Sequence, residues 1–304
     1  MDNLKINIDD KDLTLQRKNE GQVEILQINL KVIVEKGSFL HIGASPSLLT
    51  EKKGAVFKVD RTPVIPASSF KGALRNQMEL LLIQKLSEFK TLFYVEDENT
   101  LKPCIPAPKP SKAEQELLTS GYRSRMSMGN GKNRTVPVHC EVRVDENGLE
   151  VPELGICPIC YFMGATGIMG FLRFSNLYPP EGDWLIDQTN IRIDRKIGTA
   201  AKGAKVDGEQ VKPGTKFEGI VEIINKTPQG LEFGKPRKIG EKKIDCWLEG
   251  WSETDDEKRK QTIIQRILLP AIQNIKFLGG HKSKGAGKVK VEIDNRRTEQ
   301  IIQC

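Results

Sequence analysis

Between Lys102 and Pro158 the chain loses periodicity: prolines, glycines, basic residues and cysteines follow one another with no helical or strand repeat. An aperiodic stretch of this length inside a compact domain needs a staple or a partner to stay ordered. Its end supplies a candidate in the knuckle CPIC, Cys157 to Cys160. Two thiolates at this spacing reach one tetrahedral zinc ion, and two further ligands complete the shell. Cys104 and Cys140 are the expected pair, with His139 as a substitute for one of them. The competing reading is a pair of buried thiols in an apolar turn. Structural Zn2+ is preferred, because a basic, proline-rich insertion has little other means of staying folded. A redox CxxC would want a helix N-terminus in a thioredoxin-like setting, and the sequence suggests neither. Cys246 and Cys304 stand apart and read as structural or incidental.

The flanking segments are periodic. VEILQINLKVIVEKGSFLHIG alternates apolar and polar residues and predicts a first strand running to Gly43. A short strand is expected around Val56 to Val59. ASSFKGALRNQMELLLIQKLSEF follows, with Ser68 or Ser69 as N-cap and Leu74, Met78, Leu81, Leu82 and Leu86 on one helical face. GFLRFSNLYP returns to strand character, and residues 190–224 read as strand, basic loop, strand. DDEKRKQTIIQRILLPAIQNI predicts a second amphipathic helix, kinked or broken at Pro270. This order describes an α+β chain with helices packed on one face of a sheet. It is compatible with a ferredoxin-like core but does not select one.

The chain has 304 residues and a net charge of +7, which favours an anionic partner. The excess is uneven: seven Lys or Arg against three acids from Ile191 to Lys216, and eight against three from Lys102 to Arg143. A third basic segment, KFLGGHKSKGAGKVKVEI, interleaves Gly279, Gly280, Gly285 and Gly287 with Lys282, Lys284 and Lys288. Glycines let backbone N–H groups approach a polyanion, and lysines neutralise it. The segment lacks P-loop spacing and follows a helix instead of preceding one, which disfavours a mononucleotide. Together the three segments point to nucleic acid. No apolar run is long enough to span a membrane, and the first residues lack a signal peptide's apolar segment, so a cytoplasmic location is expected. Catalytic signals are sparse. None of His41, His139 and His281 sits in a nucleophile motif, and Asp60 is the acid best placed near the basic surfaces.

Read together, these motifs resemble the RAMP superfamily of CRISPR-associated proteins, with the closest likeness to the guide-RNA-lining backbone subunits of type III effector complexes. His41 to Gly43 matches an HIG-like strand end. Ile65 to Arg75 matches IPGSSLKGALR, with Ala67 replacing the usual glycine. Cys157 to Gly164 matches a cysteine segment, Ile193 to Ala200 and Pro213 to Glu218 bound a thumb hairpin, and Gly279 to Gly287 matches a glycine-rich loop. The likeness covers about residues 22–293.

The resemblance implies a single RAMP domain over residues 1–304, with a ferredoxin-like (RRM-type) core. Residues 102–160 would form a zinc-binding insertion, and residues 195–216 a thumb hairpin, of which Arg195 to Lys212 would order only on RNA or a neighbouring subunit. It implies contacts with the guide-RNA backbone from Ser68, Ser69, Lys71, Arg75, Arg195, Lys202, Lys205, His281, Lys282, Ser283 and Lys284. The expected partners are CRISPR guide RNA, complementary target RNA and other CRISPR-associated subunits, including copies of the chain itself. Cleaving members of the family use an aspartate in the loop after HIG, and here that loop, ASPSLLTEKKGAVFK, contains none. The alternative is a metal-dependent endoribonuclease using Asp60, with Mg2+ or another divalent ion required only in that case.

Overall fold

The computed structural model describes residues 3–8, 11–43, 54–105, 111, 113, 116, 121–129, 132–145, 148–150, 152–193 and 196–293. The fold is mixed α+β, with a main antiparallel sheet. Numbered in chain order, its strands are β1 (Leu4–Ile8), β2 (Lys11–Glu20), β3 (Val23–Val34), β10 (Leu172–Phe174), β13 (Lys216–Lys226) and β16 (Val289–Ile293). They run in the order β1–β2–β3–β13–β10, with β16 also paired to β3. Ile25, Leu26, Ile28 and Leu30 are all buried in β3, so the strand is covered on both faces there, and the expected alternation survives only from Lys31 to Val34. It also stops at Val34, short of the expected Gly43, because Gly37 turns the chain with φ +82°. Beyond it, Leu40 and Gly43 make only isolated bridges.

Two compact units are present. The first comprises residues 1–27, 75–173 and 222–271. It holds the β1–β2 hairpin, most of helix α1 (Ala67–Gln84) and α2 (Leu86–Leu92). The insertion adds two small hairpins, β6 (Ser124–Gly129) with β7 (Lys132–Pro137), and β8 (Arg143–Asp145) with β9 (Gly148–Glu150). They are followed by α3 (Pro158–Met163) and the two-residue strands β14 (Lys238–Ile239) and β15 (Lys242–Lys243). The second amphipathic helix starts as α4 (Asp256–Ile263), capped by the Asp255 carboxylate accepting from the Glu257 and Lys258 N–H groups. A π-helical turn at Ile264–Leu268 precedes α5 (Leu269–Gln273). Pro270 therefore does not break the helix. The wider turn just before it is a common way to absorb a missing proline N–H.

The core of this unit contains an aromatic cluster of Tyr161, Phe162, Phe171, Phe233 and Trp247 around a fully buried ion pair. Arg237 grips Asp245 in bidentate fashion, with two 2.8 Å hydrogen bonds from Nε and Nη2, and its guanidinium lies 5.0 Å from the Tyr161 ring centroid. Both side chains are almost wholly inaccessible.

The second unit comprises residues 28–74, 174–221 and 272–304. It holds the hairpin of β4 (Lys58–Val59) and β5 (Thr62–Pro63), the first turns of α1, and the long hairpin of β11 (Leu185–Ile193) with β12 (Ala200–Val211). Helix α1 begins earlier than its serines suggest. Ser68 and Ser69 lie inside its first turn, and the Ala67 N–H is satisfied by the Asn176 side chain at 2.9 Å. The cap comes from a residue distant in sequence, which no local pattern reveals. Leu74, Met78, Leu81 and Leu82 are buried as expected, whereas Leu86 falls in α2 and is only half-buried. Among the described residues no helix is long and apolar enough to cross a membrane.

Breaking the Arg237–Asp245 pair from one side strands a buried carboxylate. Arg237→Ala should cost about 3–5 kcal/mol of stability. The joint replacement Arg237→Met with Asp245→Leu should cost much less, because it leaves no orphan charge. Denaturant unfolding of the two variants checks the difference.

Candidate functional site

The insertion brings four distant cysteines together. The sulfurs of Cys104, Cys140, Cys157 and Cys160 all lie within 4.8 Å of one another, and all four residues are buried. A tetrahedral zinc thiolate, with Zn–S bonds of about 2.3 Å, needs sulfurs about 3.8 Å apart. The donor set fits, and soft thiolates alone suit zinc better than Mg2+ or Ca2+.

Local structure explains the knuckle. Cys157 is the N-cap of α3, its sulfur accepting from the Cys160 N–H at 3.4 Å, and Pro158 occupies the first helical turn. The Cys157 N–H in turn donates to the Cys140 sulfur at 3.2 Å. CPIC thus does open a helix, contrary to the sequence expectation. Two further cysteines crowd it, however, and that leaves no room for an isolated redox pair. His139 is not part of the cluster. Its Nε2 sits 3.0 Å from the Glu141 carboxylate.

Two arginines flank the thiols. Arg123 is fully buried and donates to the Cys140 sulfur at 3.6 Å, to the Gly155 carbonyl at 2.7 Å and to the Thr100 carbonyl. Arg75 donates to the Cys104 carbonyl at 3.3 Å and to the Cys104 sulfur at 3.8 Å, and it pairs with Glu79 at 2.7 Å. Burial disfavours a charged Cys157, yet hydrogen bonds from Cys104, Cys140 and Cys160, with the Arg123 charge, hold its thiol well below the ordinary value. Hydrogen bonding to Cys104, Cys140 and Cys157 pushes Cys160 the other way. The four thiols cannot all ionise unless a cation joins them.

A second constellation lies in the other unit, where the glycine-rich loop closes on the HIG segment. The Gly280 N–H donates to the His41 carbonyl at 2.7 Å, and the Gly287 N–H to the Phe39 carbonyl at 2.6 Å. Gly279 has φ +72°, and a Cβ there would stand 2.3 Å from the His41 carbonyl oxygen. Ser38 fastens the far side, its hydroxyl donating to the Gly285 carbonyl at 3.0 Å and accepting from the Lys288 N–H at 3.1 Å. Between these anchors His281, Lys282, Ser283 and Lys284 are exposed. The His281 ring stacks on His41, with centroids 4.5 Å apart and planes 7° from parallel. Partial burial, His41 and Lys284 depress the His281 pKa. His41 Nδ1 meets the Glu209 carbonyl at 3.0 Å, and the Glu209 carboxylate pairs with Lys58 at 2.7 Å. Sequence reasoning missed Arg123, the histidine stack and the Glu209–Lys58 pair. Nothing in the polar segment around Arg123, LTSGYRSRMSM, signalled its burial.

The remaining expected residues are dispersed. Ser68 is exposed, and Ser69 and Lys71 are half-buried, all on the first turns of α1. Arg75, expected on phosphate, is turned toward Cys104 and Glu79. Lys202 and Lys205 belong to β12, but their side chains, together with Arg195 and Cys304, lie outside the described residues. Asp60 is exposed at the tip of the β4–β5 hairpin, where Asp60 and Arg61 adopt φ of +48° and +67°. Two-residue hairpin turns demand such angles and favour aspartate, so the turn accounts for this residue without catalysis.

Two outcomes follow from this geometry. Elemental analysis of the purified full chain should find one divalent transition metal ion per chain, and Cys157→Ser should lower that occupancy sharply. Gly279→Ala should destabilise the loop closure, seen as faster hydrogen exchange at the Gly280 and Gly287 amides, while Gly285→Ala, with open space around it, should disturb the loop less.

No curated protein matches the chain. A family model does: that of the RAMP superfamily matches residues 35–290, a span that includes the HIG segment, α1, the four cysteines and the glycine-rich loop. The chain belongs to the RAMP superfamily of CRISPR-associated proteins.

Proposed function

We propose that the protein is an RNA-binding structural subunit of a type III-like CRISPR effector ribonucleoprotein, holding the guide-RNA backbone. The observation that carries this reading is the glycine-rich loop, a family segment that presents His281, Lys282, Ser283 and Lys284 to solvent from a closure locked on His41. Exposed cations on a rigid backbone suit phosphate, and phosphate contacts position RNA without reading its sequence. Lys71, Ser68 and Ser69 on the first turns of α1 extend the contact. In this reading the sheet and α1 form the ferredoxin-like core, and the β11–β12 hairpin is the thumb, which meets the duplex of guide and target. Zinc fills the four-cysteine site as a structural ion that holds the insertion together. Other CRISPR-associated subunits, further copies of this chain among them, are the protein partners.

Cleavage of target RNA by this chain is not favoured, since Asp60 serves a turn that explains it. In the assembled complex, Asp60→Ala should leave any target cleavage unchanged.

Binding should be electrostatic. For single strands the slope of log affinity against log salt is about 0.7 per phosphate neutralised, so Lys282→Ala with Lys284→Ala should reduce the slope by about 1.4. The loss should be the same for unrelated RNA sequences. Wild-type affinity and slope in the double variant would remove the loop from the interface. A depressed His281 pKa leaves the ring neutral in the free protein near pH 7, whereas a bound phosphate favours the charged ring. Affinity should therefore rise as pH falls below neutrality, and His281→Gln should lessen that rise.

A further inference from the structure

Arg123 poses a problem of charge. Its side chain is fully buried, yet among the described residues it forms no ion pair with a carboxylate. Its acceptors are two backbone carbonyls, Thr100 and Gly155, and one sulfur, Cys140. Carbonyls satisfy N–H groups but cannot neutralise a guanidinium, and an uncompensated buried charge is strongly destabilising. Among the described residues two ionisable neighbours feel its charge, the cysteine cluster and the Cys246 thiol, and burial pushes Cys246 toward its neutral form. Arg75 approaches the same cluster from another side through Cys104. Glu79 neutralises part of that arginine, so its contribution is the smaller.

The metal site has the complementary problem. Four thiolates around a divalent ion leave a net charge of −2 in a buried place. With Arg75 already paired to Glu79, Arg123 is the full positive charge that offsets it, and it halves the excess. A nearby guanidinium repels a trivalent ion more than a divalent one, so Arg123 shifts the cage toward the divalent state. We propose that Arg123, assisted by Arg75, is the counter-charge of a four-thiolate metal centre and shifts its preference toward divalent over trivalent ions. The inference rests on the metal reading of the cysteine cluster and adds to it a pair of positioning residues that touch the ligands, not the ion. Hydrogen bonds of this kind around metal ligands are worth about 10–100-fold in metal affinity.

Arg123→Gln is the informative change, because glutamine keeps N–H donors for the Thr100 and Gly155 carbonyls while removing the charge. The full chain, wild type and variant, is titrated with zinc against a chromophoric chelator. It is also loaded with cobalt to record thiolate charge-transfer bands, and with iron to measure the ferric/ferrous potential. Arg123→Gln should bind zinc about 10–100-fold more weakly. Its iron form should have a lower potential than wild type, because losing a nearby positive charge favours the ferric centre. Arg123→Lys should restore much of both properties. A merely structural arginine would change folding stability and leave the potential where it was. Wild-type zinc affinity and potential in Arg123→Gln would overturn the proposal. Absence of a tetrathiolate cobalt spectrum in the wild-type protein would instead overturn the metal reading beneath it. If Arg123→Gln does not fold, Arg75→Gln carries the same test at a less buried position, with the same direction of change and a smaller size.

Discussion

Convergence of Cys104, Cys140, Cys157 and Cys160 is the constraint on which the insertion depends. Among the described residues between them, the two hairpins β6–β7 and β8–β9 pair only with themselves. A two-stranded ribbon alone is marginal in water. What ties the segments together is the sulfur cluster and the groups that meet it: the Cys157 N–H on Cys140, the Cys160 N–H on Cys157, and Arg123 bridging Thr100, Gly155 and Cys140. The backbone has been fitted to this point. Gly155 has φ +61°, and a Cβ there would lie 2.4 Å from the Ile244 carbonyl oxygen, so no other residue can carry the chain into the knuckle at this place.

The glycine-rich loop solves a different problem with the same economy of means. In the proposed role the loop must expose its cations to a polyanion, and exposed lysines contribute almost nothing to holding a loop in place. Its order comes from elsewhere: backbone hydrogen bonds to Phe39 and His41, the two-way Ser38 hydroxyl, and the stacked His41–His281 rings. The cations are therefore free of any structural duty. Glu209 extends the support by one layer, receiving His41 on its carbonyl and Lys58 on its carboxylate.

Much of this was legible in the sequence, and the reasons for the rest are physical. CPIC announced a metal knuckle because its spacing is a local property, and Cys104 and Cys140 were the expected partners, whereas the exclusion of His139 came only with the fold. The helix faces at Leu74, Met78 and Leu82 were legible for the same reason. The start of α1 was not, since its cap is Asn176, and neither was the end of β3, where a glycine turn outweighed a continuing alternation. Pro270 reads in sequence as a kink or a break, and the break is avoided because a π turn precedes it. The role of Arg123 depends on burial, and burial of a charged residue is a product of tertiary packing that no pattern of neighbours encodes.

Arg75 shows most clearly how a motif can carry two meanings. Within SSFKGALR, Lys71 and Arg75 are four residues apart and fall on one helical face, which makes both look like phosphate ligands. The structure separates them. Arg75 is committed to Glu79 and to Cys104, and although burial opposes its charge, Cys160, Glu79 and Cys104 outweigh that and raise its pKa further. Glu79 is itself held by the Tyr122 hydroxyl at 3.1 Å, so the arginine is fixed by a chain of partners inside one unit. A guanidinium so engaged would have to give up a carboxylate and a sulfur to reach RNA, and an exchange of that kind gains little when Lys282 and Lys284 stand exposed. In the proposed reading the arginine of the motif belongs to the four-cysteine site, and the grip on RNA falls to the lysines.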